Sequence, residues 1–134
     1  MTHAAFAGPV LPFTPTADQT DKRGYFVENS SGSAAIVNAA TDVPIGVITD
    51  GAPTTGKSAV AMSGSGAIVK VKCAATAGTI VPGTYLTLDG TTLGAVCADP
   101  GTGARVQVAR ACEAGANNAL IDAVLINPVA IAAA

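Results

Sequence analysis

The stretch Asp42–Val60, DVPIGVITDGAPTTGKSAV, decides the fold because it sets two apolar runs on either side of a turn-forming segment. The runs are Pro44–Thr49 and Ser58–Met62, and both have the length of an ordinary strand rather than of a helix. Between them, Asp50–Gly56 is rich in the Gly, Pro and Asp residues that favour turns. We therefore predict two β-strands that are joined by a loop.

The same loop also fits a phosphate-binding pattern, G-x-x-x-x-G-K-[ST], through Gly51, Gly56, Lys57 and Ser58. In nucleotide-binding proteins such a loop leads into a helix, whose N-terminus faces the phosphates. Directly after Met62 the sequence SGSG interrupts the run that starts at Ser58, so this run does not supply the helix. The pattern without its helix favours the strand-loop-strand interpretation.

A nucleotide-binding site would also need a carboxylate for Mg²⁺, and the candidate is Asp89, at the end of the apolar run YLTLD. Gly90 and two Thr residues follow it at once, as in a hairpin turn. In this alternative function Lys57 would bind phosphates, Ser58 would bind Mg²⁺ and Asp89 would complete the site. The P-loop protein stays open as an alternative to a structural role.

Short apolar runs alternate with turn-forming residues along most of the chain. In Ala67–Ala74 the apolar residues Val69, Val71 and Cys73 fall on one face and two lysines fall on the other, which is typical of a half-exposed antiparallel strand. The pattern predicts an all-β fold, a single compact antiparallel β-barrel or sandwich with little helix, formed by residues 21–128. The predicted strands are Tyr25–Val27, Ala34–Val37, Pro44–Thr49, Ser58–Met62, Ala67–Ala74, Thr84–Leu88, Leu93–Ala98, Arg105–Ala111 and Leu120–Ile126.

The composition indicates a protein that faces other protein chains. The chain has 134 residues, enough for one domain, and 49% of them are hydrophobic while only 12% are charged. The run Leu120–Ile126 is apolar on both faces apart from Asp122, so we expect a central strand or a subunit interface there. We predict a homo-oligomer, with a trimer as the expected state.

The charge of the chain argues against two classes of partner. The net charge is −2 and the seven Lys and Arg residues are scattered, so the basic patch that nucleic acids require is not expected. We find neither a signal peptide nor an uninterrupted apolar run long enough to span a membrane. We predict no nucleic-acid partner and no membrane partner, and we expect synthesis in a cytoplasm.

No arrangement of residues predicts catalysis. Cys73, Cys97 and Cys112 are widely spaced among small apolar residues, so we expect reduced thiols in the core. The single histidine, His3, lies near the terminus, which leaves Cys-His and Ser-His-Asp chemistry without a partner. We predict no enzyme activity, no cofactor and no metal. The aspartates that we expect to cap turns are Asp42, Asp50, Asp89 and Asp99.

The first twenty residues, Met1–Thr20, are predicted to form an extended Pro-rich arm. Disordered tails are normally poor in Phe, Val and Leu, but this segment carries four such residues, so we expect it to dock on a partner or on a neighbouring subunit. The expected anchors are Phe6, Val10, Leu11 and Phe13. The arm is predicted to be separable from the β domain, which should fold without it.

Five phrases of the sequence follow one another in a recognisable order. They are GYFVEN (24–29), DVPIGVITDGA (42–52), VKVKCAA (69–75), AGTIVPGTYLTLDG (77–90) and RVQVARACEAGANNALIDAVLIN (105–127). In this order and spacing they resemble the capsid decoration, or cement, proteins of tailed bacteriophages, especially the type rich in Ala, Gly and Val. The arm, residues 1–20, and a C-terminal tail, residues 129–134, have no counterpart that we can align.

The resemblance implies a structural function. Such proteins bind the outer surface of a pre-formed phage head as trimers or other knobs and stabilise it against the internal pressure of the DNA. The expected partner is the major capsid protein, and the expected location is the virion, after synthesis in the host cytoplasm. The resemblance also makes the P-loop pattern a coincidence, since that position corresponds to a turn that leads into a strand.

A receptor- or glycan-binding β module is the third interpretation that the sequence leaves open. Saccharide sites usually use exposed aromatic side chains, and this chain has no Trp, two Tyr and three Phe. The composition therefore disfavours such a site.

Overall fold

The structure, a computed structural model, describes residues 10–133 as ten β-strands in two antiparallel sheets of five strands each. No helix occurs among these residues. The all-β fold predicted from the sequence is confirmed. Of the two predicted architectures, the sandwich fits, because the large core lies between the two sheets.

The first sheet, sheet A, contains the first five strands of the chain in the order β1-β5-β4-β2-β3. The second, sheet B, contains the last five in the order β6-β10-β9-β7-β8. The strands of sheet A are β1 Val10–Phe13, β2 Phe26–Ser30, β3 Ser33–Ile36, β4 Gly46–Asp50 and β5 Ser58–Met62. The strands of sheet B are β6 Ile68–Lys72, β7 Tyr85–Leu88, β8 Val96–Ala98, β9 Arg105–Ala111 and β10 Leu120–Ile131.

The main core forms where the apolar faces of the two sheets meet. The period-two alternation predicted for β9 is confirmed, since Val106 and Val108 are buried while Arg105 and Gln107 are half-exposed. In β6 the same alternation buries Val71 and turns the lysines outward. The largest fully buried side chains of this core include Phe26 and Val47 from sheet A and Leu86, Val96 and Leu125 from sheet B.

A second, smaller core lies on the other face of sheet A. Its fully buried members are Val27, Ala34, Ile48 and Val60. Phe13, at the end of β1, packs against this cluster together with three half-buried residues of neighbouring segments. The small core therefore depends on the strand that lies closest to the N-terminus.

Backbone hydrogen bonds join the outer strands of each sheet. In sheet A, the segment after β1 reaches β3: the N–H of Ala34 donates to the carbonyl of Thr14 at 2.9 Å, and the N–H of Thr16 donates to Ala34 at 3.0 Å. In sheet B, the N–H of Ala74, just after β6, donates to the carbonyl of Val96 in β8 at 2.8 Å. These contacts pair a few of the N–H and C=O groups at the sheet edges and leave the rest of each outer strand unpaired on its outer side.

The last strand is longer than the sequence pattern predicts. We expected it to end at Ile126 and the tail to begin at Val129, but β10 runs to Ile131. Its pairing with β9 shifts between Leu125 and Val129 and then resumes. Pro128, which has no N–H to donate, lies in this irregularity, where a bulge tolerates it. The bulge lets the strand continue past a residue that normally ends one.

Candidate functional site

The described part of the predicted arm belongs to the sandwich. Residues Val10–Phe13 form β1, which pairs with β5 so that Val10 lies opposite Ala61 and Phe13 lies opposite Ser58. We expected the arm to dock on a partner or a neighbouring subunit, and from residue 10 onward it docks on its own sheet. The boundary predicted at residue 20 therefore does not separate an arm from the folded body. Phe6 lies outside the described residues.

The predicted anchors differ in exposure. Val10 and Leu11 are 41% and 47% exposed. Phe13, in contrast, is half-buried against the small core and contributes to the protein's own stability. Val10 and Leu11 are therefore the described anchor residues that a partner can contact.

The outer edge of β1 is a poor template for an added strand. Pro12 lies opposite Ala59 in the ladder with β5 and has no N–H of its own. A proline in a paired strand is tolerated where its missing donor faces away from the partner strand. An incoming strand would find one donor fewer on this edge, which favours contact through side chains over pairing through the backbone.

A buried polar network joins the residues after β1 to the loop between β4 and β5. Gln19 is 1% exposed and donates from Nε2 to the carbonyl of Ala34 at 2.9 Å. Its Oε1 accepts the hydroxyl of Ser58 at 2.8 Å, and the Ser58 oxygen accepts the N–H of Ala52 at 3.1 Å. The backbone closes the network, because the N–H of Gln19 donates to Ala52 at 2.9 Å.

The residues that the P-loop alternative needs form hydrogen bonds within the protein. Ser58 is fully buried, begins β5 and uses its hydroxyl within the protein. Lys57 donates from Nζ to the hydroxyl of Thr14 at 2.6 Å. The loop interpretation of this segment is confirmed, since a strand and not a helix follows Lys57. Asp89 lies in the turn directly after β7 of sheet B, where its carboxylate accepts the N–H groups of Thr91 and Thr92.

Three of the four aspartates predicted to cap turns do so. Asp89 caps its own turn, and the Asp42 carboxylate accepts the N–H groups of Asn38 and Ala39, both at 3.1 Å. Asp99 accepts the N–H of Gly101 at 2.9 Å. The fourth, Asp50, is exposed at the end of β4.

Asp99 also holds the loop before β9 through charged hydrogen bonds. Its carboxylate accepts Nε of Arg105 at 2.5 Å and Nε2 of Gln107 at 2.6 Å. Burial opposes ionisation of this carboxyl, but the hydrogen bonds from Gly101, Gln107 and Arg105 outweigh it and lower the pKa. The charged groups of this cluster thus pair with one another within the chain, and they stabilise the loop before β9.

Of the three cysteines, one departs from the predicted core position. Cys73 is buried, Cys97 is half-buried and Cys112 is exposed, and all three are free thiols. Cys112 follows the end of β9, where its N–H donates to the carbonyl of Asp122 and its side chain is exposed. Burial raises the pKa of the Cys73 and Cys97 thiols, so both are protonated at neutral pH.

The outer face of sheet B, which points away from the main core, carries a row of side chains from four strands. Strand pairing places Ile68 opposite Val124, Val124 opposite Arg110, and Arg110 opposite Tyr85. Ile68 is 66% exposed and Tyr85 is 42% exposed. The row thus places two exposed apolar side chains, those of Ile68 and Tyr85, on the same face of sheet B.

The charged groups on this outer face are paired with one another. Lys70 Nζ lies 3.1 Å from Asp122 and 3.5 Å from Glu113, and Glu113 also accepts the N–H of Asp122 at 2.7 Å. The guanidinium of Arg110 lies over the Tyr85 ring, 4.9 Å from its centroid. Contacts within the chain thus fix the positions of these charged side chains.

A second surface feature is a carboxyl pair on sheet A. Glu28, in β2, hydrogen-bonds Asp42. This hydrogen bond, together with burial and the nearby Asp42 charge, raises the pKa of Glu28 to about 7. The adjacent Val43 is 60% exposed.

We predict that this pair makes the fold less stable as pH rises. The unfolded chain releases the Glu28 proton near its ordinary pKa of 4.5, while the folded protein keeps it up to about 7. The stabilisation is therefore present below pH 4.5 and is lost as pH rises to 7. Because the pair is partly solvated, we expect about 1 kcal/mol.

Thermal unfolding of Glu28→Gln between pH 4 and 8 checks this prediction. The amide stays neutral, so the variant should be more stable than the parent at pH 8 and similar at pH 4. Asp21→Asn, at an exposed position, is the matched control and should follow the parent throughout. Parallel pH profiles for Glu28→Gln and the parent would contradict the role of the pair.

No protein-family model matches the sequence, and no curated protein matches it. Within residues 10–133 no helix is long and apolar enough to cross a membrane. The described residues also contain no group of three or more His, Cys, Asp or Glu side chains placed to hold a metal ion.

Proposed function

We propose that this protein is a capsid decoration protein of a tailed bacteriophage, which binds the outer surface of the head and stabilises it against the pressure of the packaged DNA. The observation that carries the proposal is the resemblance of residues 24–128 to this class, a range that contains strands β2 to β9 and most of β10. The partner is the major capsid protein. The protein acts in the virion after synthesis in the host cytoplasm.

The composition of the surface supports a protein that functions while bound to another protein. Only 12% of the residues are charged, and large apolar side chains remain exposed on both sheets. A chain with this surface gains stability and solubility when another protein covers part of it. The exposed large apolar residues are Val10, Leu11, Val43, Ile68, Val81, Tyr85, Leu93, Leu120 and Val129.

The capsid contact in this proposal is the exposed part of β1. Val10 and Leu11 are consecutive residues of an outer strand of sheet A, where their side chains project to opposite faces, and neither belongs to the protein's two cores. Burial of one such side chain contributes roughly 1.5 to 3 kcal/mol. In a trimer three copies of β1 engage together, so the affinity of the whole particle exceeds that of one contact.

We predict that Leu11→Asp weakens binding to phage heads that lack their decoration protein. Loss of one buried Leu and the introduction of a charge should lower affinity by roughly tenfold or more. Electron microscopy of decorated heads at increasing protein concentration measures the occupancy. Val129→Asp is the matched control, because Val129 is equally apolar and 46% exposed but lies on sheet B.

Two outcomes would count against the proposal. If the unaltered protein fails to bind such heads at any concentration, the decoration function is wrong. If it binds and Leu11→Asp binds equally well, the function stands but attachment does not use β1.

A further inference from the structure

Two surfaces of this protein carry opposite charge and are both partly apolar. The first, the basic face, is the outer face of sheet B with Ile68, Lys70, Lys72, Arg110 and Tyr85, together with Arg23 beside it. The second, the acidic patch, consists of Glu28, Asp42, Val43, Asp89 and Leu93. We propose that copies of this chain associate head to tail, with the basic face of one copy against the acidic patch of the next.

The basic face has an excess of positive charge on an acidic protein. Arg23, Lys70, Lys72 and Arg110 carry four positive charges, and Glu113 and Asp122 carry two negative ones, a difference of +2 on a chain whose total is −2. The remaining residues therefore sum to −4. Arg23 and Lys70 line a shallow cleft of about 260 Å³ beside Ile68 and Asp122.

The acidic patch is formed by two neighbouring loops and the end of β2. A Cβ added at Gly90 would lie 3.7 Å from that of Ala40, so the loop after β7 touches the loop after β3. Val43 is 60% exposed and Leu93 is 39% exposed. Within the described residues, no Lys or Arg lies within ion-pair distance of Glu28, Asp42 or Asp89.

The partner that fits both surfaces is a second copy. In the basic face, Lys70 is already neutralised by Asp122 and Glu113, so covering it leaves no unpaired charge. Arg23 forms no ion pair within residues 10–133, and a carboxylate of the acidic patch is the counter-charge it lacks. The exposed Ile68 and Tyr85 find apolar counterparts in Val43 and Leu93.

The use of two different surfaces decides the kind of assembly. A contact between unlike surfaces is heterologous, and it closes into a ring when the rotation between copies allows, as in a trimer. A contact of the basic face with itself would instead give a twofold dimer. The contact forms in the free protein, so its test needs no capsid and can fail without affecting the proposed function.

The experiment uses two variants of the full chain that place like charges across the contact. Ile68→Asp puts a carboxylate opposite the acidic patch, and Val43→Lys puts a cation opposite the basic face. Both positions are more than half exposed, so both variants should fold. Each alone should weaken self-association by roughly tenfold or more in analytical ultracentrifugation.

An equimolar mixture distinguishes the head-to-tail contact from other assemblies. In the mixture, the carboxylate that Ile68→Asp introduces meets the ammonium that Val43→Lys introduces on the other variant. The second contact joins two unaltered surfaces, so unlike copies should associate in pairs. A closed ring of three would still contain one contact between copies of the same variant, so the expected recovery is that of the pairwise contact. Thr54→Asp, in the exposed loop between β4 and β5 and outside both surfaces, should associate like the parent.

Three results would each overturn the proposal. They are a parent that stays monomeric up to millimolar concentration, a single variant that associates normally, and a mixture without recovery. Far-ultraviolet circular dichroism and thermal unfolding check that each variant is folded.

Discussion

A variant that starts at Asp21 is expected to lose several kcal/mol of stability and with it a cooperative unfolding transition. The deletion removes β1 and its ladder with β5. It also removes Phe13, which packs against the small core, and Gln19, which is 1% exposed. Burial of a Phe side chain alone contributes roughly 1.5 to 3 kcal/mol.

The deletion also leaves buried polar groups without partners. The Ser58 hydroxyl loses its acceptor on Gln19, and the Ala34 carbonyl loses the donors from Gln19 and Thr16. A buried polar group without a partner costs about 1 to 3 kcal/mol. Because small domains are stable by only about 5 to 15 kcal/mol, these losses together reach a large part of the total.

Thermal unfolding followed by circular dichroism measures the effect. The matched control is a variant that starts at Val10, which keeps β1, Phe13 and Gln19, and it should unfold cooperatively. If the variant that starts at Asp21 unfolds at the temperature of the full chain, residues 10–20 do not belong to the folded unit. The same result would restore the separable arm expected from the sequence.

The strands were predictable from the sequence wherever apolar periodicity and turn residues agree. β5 and β9 match their predicted bounds to the residue, at Ser58–Met62 and Arg105–Ala111. β1 was not predicted as a strand because Pro12 lies within it, and proline normally argues against a paired strand. Its place at the outside of sheet A resolves the conflict, since only one side of β1 faces β5.

The buried network of Gln19 could not be foreseen. In the sequence, Gln19 stands among Asp and Thr residues that suggest a solvated linker. Its burial results from long-range contacts with β3 and with the loop before β5, and no local pattern reports these. The outer face of sheet B was foreseen in part, because Leu120–Ile126 is apolar on both faces, but its row with Ile68 and Tyr85 depends on strand order.

Gly51→Ala is the point substitution with the largest expected effect. Gly51 fits the first glycine of the phosphate-binding pattern, but its role in this structure is to let two backbones approach. A Cβ at this position would fall on the carbonyl oxygen and carbon of Gln19. That carbonyl accepts the N–H of Lys22 at 3.0 Å, and the Gln19 N–H donates to Ala52, so neither segment can move without breaking hydrogen bonds.

We expect Gly51→Ala to cost roughly 3 kcal/mol or more, because it adds a steric clash to the loss of buried hydrogen bonds. Gly56→Ala is the matched control from the same pattern. A Cβ there meets the Ala52 side chain at 3.2 Å and other atoms at 3.6 Å or beyond, so a small shift relieves it. Its expected cost is below about 1 kcal/mol.

Chemical denaturation of the two variants compares the two roles of the loop. If the loop is structural, Gly51→Ala should be much less stable than Gly56→Ala, since only Gly51 lies against the Gln19 backbone. A phosphate-binding loop needs both glycines for backbone contact with its ligand. If the loop binds phosphate, both variants should lose nucleotide binding to a similar extent and should have similar stability. Equal stability of Gly51→Ala and Gly56→Ala would contradict the packing of Gln19 against this loop. Binding of Mg²⁺-nucleotide that both substitutions abolish would return the loop to the P-loop interpretation.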